Sequence, residues 1–136
     1  MKRVIFGIMA VAVVLTTACK KEDGIAMTMF STRPDRVSIL LAGSGNVTID
    51  WGDGSKKETF TLSAFNTYWS AEQTYRYFYE NSSPRTVTIT GDDITHLGCE
   101  NNELTSLDVS RNTKLVFLSC ANNQLRELDV RNNTFI

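Results

Sequence analysis

The sequence predicts a mostly β protein in which a small sandwich continues into a short repetitive solenoid. Three observations lead there. Between Ile25 and Thr90, apolar and polar residues alternate in short runs separated by turn residues, the pattern of half-buried antiparallel strands. No 3.6-residue apolar period accompanies that alternation, so helix is not expected. After Thr90 the alternation gives way to a segment that repeats itself at an offset of 21 residues.

In chain order, the first element is not part of the fold. Met1-Lys2-Arg3 makes a positive start, and Val4 to Leu15 is an uncharged apolar run. That run is short of the roughly 20 residues needed to span a bilayer. A charged start, a short apolar stretch and small residues at its end form a secretory signal over residues 1–18. Thr16-Thr17-Ala18-Cys19 resembles the lipobox of bacterial lipoproteins. The resemblance implies that the Cys19 thiol carries diacylglycerol, with residues 19–24 as a lipidated tether and no other cofactor. Lys20-Lys21-Glu22-Asp23 is similar to the signal that follows the lipidated cysteine in Bacteroidetes-type surface lipoproteins. An outer-membrane anchor facing the cell exterior is what this implies; a solvated tether on the periplasmic side is the other reading.

Residues 25–90 contain six alternating runs. They are marked by Met27 and Met29, Val37 and Ile39, Val47 to Trp51, Phe60 and Leu62, Tyr75 and Tyr77, and Val87 and Ile89. Arg33-Pro34-Asp35, Gly43-Ser44-Gly45 and Gly52-Asp53-Gly54-Ser55 punctuate them as turns. The stretch Val47-Thr48-Ile49-Asp50-Trp51-Gly52-Asp53-Gly54-Ser55 resembles the hairpin of PKD-type immunoglobulin-like domains, and Thr86-Val87-Thr88-Ile89 resembles their closing strand. The resemblance implies a sandwich in which Trp51 packs inside. Tyr75-Arg76-Tyr77 stands where such domains usually carry a histidine, so a histidine-dependent role is not expected.

Residues 91–136 hold the repeat. Leu97, Cys99, Asn102 and Leu104 recur as Leu118, Cys120, Asn123 and Leu125, and Leu107, Val109 and Asn112 recur as Leu128, Val130 and Asn133. Each 21-residue coil divides into two similar halves, since Leu97, Leu107 and Leu118 are 10 and 11 residues apart. This resembles the nested 21-residue (IRREKO-type) leucine-rich repeats of bacterial surface proteins. Leucine, cysteine and valine are expected inside, with asparagine amides bonding backbone at the turns. Val87 to Ile94 has the spacing of a further half-coil, so the sandwich is expected to run into the solenoid without a linker and cap it. With about two coils, fewer than a stable array usually needs, the array is read as apparently truncated.

Candidate chemistry is sparse. Removing Lys2 and Arg3 leaves 12 basic against 15 acidic side chains, a balance that argues against nucleic acid as a partner. Cys99 and Cys120, equivalent positions of adjacent coils, are expected as buried thiols, although their spacing of about 5 Å permits a disulfide. Two cysteines and the single His96 do not make a zinc site. Asp50 and Asp53 fit a turn better than a calcium site, which wants six or more oxygens. No nucleophile and base stand at a recognised spacing, so no catalytic residue is expected and the chain is read as no enzyme.

Two surfaces are candidates for binding. His96, Gly98 and Glu100 should face the same way as Phe117, Ser119 and Ala121 one coil later; leucine-rich arrays commonly bind protein on such a face. Seven of the 13 aromatic residues lie within residues 65–79, including Tyr68 and Trp69, and aromatic faces can stack on sugars. The expected function is therefore a non-catalytic cell-surface adhesion or protein-interaction module, with a glycan-binding lipoprotein as the alternative. Neither the ligand nor the oligomeric state is legible.

Overall fold

A computed structural model describes residues 24–66 and 73–136; the signal segment, Cys19, Tyr68 and Trp69 lie outside these. Among the described residues, nine strands follow one another: β1 (Ala26–Ser31), β2 (Arg36–Ser44), β3 (Asn46–Asp50), β4 (Glu58–Thr61), β5 (Thr74–Phe78), β6 (Arg85–Thr90), β7 (Asp93–Gly98), β8 (Leu104–Asp108) and β9 (Phe117–Ser119). The protein is mostly β, built as two sheets. Sheet A has the order β4-β3-β6-β1-β8 and sheet B the order β5-β2-β7-β9. The six alternating runs of the sequence are β1 to β6. Among the described residues, no helix is long and apolar enough to cross a membrane.

Period-two alternation turns one face of each strand inward. Met27 and Met29 of β1, Val37, Ile39 and Leu41 of β2, Val47 and Ile49 of β3, and Val87 and Ile89 of β6 are fully buried. Trp51 closes this core, stacked on Tyr77 with ring centroids 5.0 Å apart. The same cluster contains Leu97, Cys99, Leu104, Leu107, Val109 and Leu115, so the core continues past residue 90 without interruption.

Both sheets also cross that point. In sheet B, β7 pairs antiparallel with β2 and parallel with β9, in the register His96↔Phe117, Leu97↔Leu118 and Gly98↔Ser119. In sheet A the arrangement is less direct. The N-terminal strand β1 lies between β6 and β8, antiparallel to both. The spacing of Val87 to Ile94 does not show this, because it says nothing of which strand fills the gap between half-coils.

Two buried pairs, Ile94/Leu97 and Leu104/Leu107, are three residues apart and break strict alternation. Register shifts reconcile them with flat strands: β7 slips against β2 at Ala42/Gly43, and β8 slips against β1 at Phe30/Ser31. An extra residue at each slip returns the second apolar side chain to the core.

The turns after Cys99 and Cys120 use two adjacent asparagines for different purposes. Asn101 and Asn122 adopt left-handed backbone, with φ of 57° and 55°, a conformation asparagine tolerates better than most residues. Asn102 and Asn123 supply amides. The Asn123 Oδ1 accepts the N–H groups of Asn102 and Leu104, while its Nδ2 donates to the carbonyls of Cys99 and Cys120. Asn102 makes the matching bonds to β2 instead: its Oδ1 accepts the Ser38 N–H at 2.9 Å and its Nδ2 donates to the Ser38 carbonyl at 2.8 Å. Ser38 lies beyond the last β2–β7 pair, Leu40↔Gly98. The backbone of β2 thus takes, for Asn102, the place that the turn after Cys99 takes for Asn123.

Candidate binding surface

Sheet B presents the functional candidates on its outer face. Parallel pairing at a 21-residue offset places His96 beside Phe117 and Gly98 beside Ser119, as the repeat implies. Asn101 donates its N–H to the Ala121 carbonyl, which carries the alignment to the exposed Ala121. Leu40 and Ala42 of β2 continue the two rows, opposite Gly98 and His96.

The row is not open along its length. Phe65, from the segment after β4, stacks flat on His96 with centroids 4.3 Å apart, and His96 lies 5.8 Å from Phe117. Thr95 Oγ1 sits 2.9 Å from His96 Nδ1. Burial under Phe65 holds the imidazole pKa below its ordinary value, because the charged form loses hydration. Leu40 and Ala42 are buried although they face outward. Gln73, also buried, donates to Ser63 Oγ and to the Ala64 carbonyl, which ties down the segment bearing Phe65. Sequence reasoning missed this cover, since no spacing connects Phe65 to His96.

Gly98 is buried, and the Glu100 carboxylate folds over it: a β carbon there would meet Glu100 Oε2 and Leu40 Cβ, both at 3.2 Å. Ser119 is half-buried. Of the six array positions, then, His96 and Phe117 form one aromatic stack with Phe65, while Gly98 and Glu100 border a groove beside it.

That groove consists of two adjoining cavities. One, of about 350 Å³, is lined by Ser38, Leu40, Thr74, Gly98, Glu100, Asn101 and Asn122. The other, of about 390 Å³, shares Ser38, Glu100 and Asn101 and adds Arg33, Arg36, Arg76, Phe78 and Asn102. No family model, curated protein or solved structure matches this chain. The chemistry must therefore be argued from these side chains alone.

The described aromatics of residues 65–79 divide sharply. Tyr75 and Tyr77 turn inward, against Phe60 and Trp51. Tyr79 donates its hydroxyl to the Trp51 carbonyl at 2.9 Å and lies under the Arg85 guanidinium, 3.5 Å from the ring centroid. Phe78 is the outward member of the continuous Tyr77-Phe78-Tyr79 run and is 67% exposed.

The acidic candidates serve turns. Asp50 Oδ1 accepts the Gly52 N–H and Asp53 Oδ1 accepts the Ser55 N–H, while Lys57 bridges Asp50 at 3.5 Å. Asp108 and Asp129, one coil apart, accept the N–H two residues on, from Ser110 and Arg131. Among the described residues, no group of three or more His, Cys, Asp or Glu side chains is placed to hold a metal ion. Cys99 and Cys120 are free thiols, both pushed upward in pKa by burial.

Proposed function

We propose that this chain is a non-catalytic lipoprotein, anchored through Cys19 in the outer membrane, that faces the cell exterior and binds protein through the outer face of sheet B. Its fold is read as a PKD-like sandwich continued by 21-residue leucine-rich coils. The observation that carries the reading is the parallel, in-register rank His96↔Phe117 and Gly98↔Ser119. It puts equivalent positions of successive coils on one surface, which β2 and β5 widen. That widening matters because a standard interface needs about 800 Å² per partner, more than two coils offer.

Beads coated with the mature chain should adhere to target cells, lose adhesion with Phe117→Ala, and lose it when the cells are treated with protease. Adhesion that survives protease but not glycosidase treatment would overturn the protein reading. A Cys19→Ala variant should fail to take up labelled palmitate, and lipid uptake by that variant would end the anchor assignment. A second reading, glycan binding, is favoured by one observation: the exposed Phe78 borders a groove lined by amides, hydroxyls and guanidinium groups.

A further inference from the structure

We propose that the groove beside β2 is a binding site for uronate-containing oligosaccharide, with Arg36 and Arg76 taking the carboxylate and Phe78 the face of the sugar ring. The inference rests on the glycan reading for its ligand class and uses residues away from the Phe65–His96–Phe117 stack.

Strand register builds the site. Arg36 stands opposite Phe78, and Ser38 opposite Arg76, on the outer face of the β2–β5 pair. Arg36 and Arg76 are therefore diagonal neighbours, about 7–8 Å apart in backbone position. Two long guanidinium side chains at that spacing can converge on one carboxylate, and guanidinium binds carboxylate with two parallel hydrogen bonds. Arg36 is loosely paired with Asp35 at 3.7 Å, whereas Arg76 enters no ion pair among the described residues. Arg33 is held in the wall: its Nε donates to Asp35 at 3.0 Å and its Nη1 donates to the Asn101 carbonyl. Three arginines against one carboxylate, Glu100, line this cavity, a positive balance in a chain with more acidic than basic groups.

The other end of the groove has a different character. No arginine lines it; Thr74, Gly98 and Asn122 join Glu100 and Asn101, which line both cavities, and neither the Asn101 nor the Asn122 side chain has a hydrogen-bond partner among the described residues. Left-handed turn backbone fixes both asparagines. A ligand that fits carries negative charge at one end and neutral hydroxyls at the other, as a uronate linked to a neutral sugar does. An exposed phenylalanine adds the flat apolar surface that a sugar ring can cover. An acidic peptide fits less well. The β2 backbone in the groove is already paired with β5 and bonded to Asn102 or β7, so no strand can be added there.

The test is titration of the mature lipoprotein in detergent with three probes: a glucuronate-substituted xylo-oligosaccharide, the unsubstituted neutral xylo-oligosaccharide and poly-glutamate. The glucuronate-substituted oligosaccharide should bind more tightly than either of the others. Arg76→Glu should weaken it at least tenfold, Arg76→Lys less, and Phe78→Ala measurably, while the charge reversal Lys56→Glu, at a residue that lines neither cavity, should change it less than twofold. Equal binding of poly-glutamate, or equal loss in Lys56→Glu, would reduce the effect to general charge and overturn the proposal. Binding of the neutral sugar alone would also overturn it while leaving the glycan reading intact. No binding of either sugar would remove both.

Discussion

At the residue scale, the chain depends on side chains that satisfy backbone. The Asn123 side chain makes five hydrogen bonds to two successive turns, and no apolar residue can replace them. Asn123→Ala should cost about 2–4 kcal/mol, read as a lower midpoint in urea denaturation, because several partly buried backbone groups lose partners together. A loss below about 0.5 kcal/mol would show that the ladder contributes little. The glycines of the β3–β4 turn separate two effects. Both Gly52 and Gly54 have positive φ, 79° and 83°, but a β carbon on Gly52 would overlap the Thr86 carbonyl, whereas Gly54 has open space around it. Gly54→Ala should cost about 1–2 kcal/mol from its backbone conformation alone, and Gly52→Ala clearly more. Equal losses would contradict the close approach to β6. Tyr79 links stability to alkaline pH. Burial, partly offset by Arg85, raises its phenol pKa from 10.0 to about 12. The folded state favours the neutral phenol, so its contribution is complete below pH 10 and lost as pH rises through 12. Tyr79→Phe should flatten part of that decline in the denaturation midpoint, and an unchanged slope would exclude Tyr79 as its source.

At the element scale, alternation identified β1 to β6, and the 21-residue repeat implied the pairing of β7 with β9. Both signals are local or strictly periodic. The insertion of β1 between β6 and β8 is neither: Met27 and Met29 mark a strand, but nothing in their spacing names its neighbours. The cover of Phe65 on His96 and the diagonal of Arg36 and Arg76 were illegible for the same reason, since they join residues 31 and 40 positions apart through sheet register. The asparagines were legible in kind, as turn formers with useful amides, but not in their division of labour between Asn101 and Asn102. Position within the sheets also orders local stability. β1 and β7 have partners on both sides, whereas β9 pairs only with β7 among the described strands. Hydrogen exchange should therefore be slowest in β1 and β7 and faster in β9 by at least an order of magnitude. Uniform protection across all three would contradict that hierarchy.

At the scale of the whole molecule, residues 25–90 and 91–136 share one apolar core. Met29 of β1 pairs with Leu107 of β8, and Leu41 of β2 with Leu97 of β7. A chain reduced to residues 24–91 would lose β7 and β8, uncovering part of that core and the edges of β1 and β2. It should fail to show a cooperative unfolding transition by circular dichroism, whereas the full chain should unfold in one step. Independent, cooperative unfolding of the fragment would instead make the sandwich self-sufficient. The two compositional regimes of the sequence, alternating and repetitive, therefore mark a change of pattern within one core.

The Ser38–Asn102 pairing has a consequence for how such a chain can change its length. The Ser38 peptide of β2 offers Asn102 one donor and one acceptor, so an asparagine amide fastens the first turn to β2 much as Asn123 fastens the second turn to the first, although β2 runs antiparallel to β7 and β9 parallel to it. A tandem duplication of 21 residues inserted after Asn101 would keep the amide contact to Ser38 and add one more turn-to-turn contact of the kind Asn123 makes. The repeating segment can then change in length by whole copies while the strands of residues 25–90 keep their contacts.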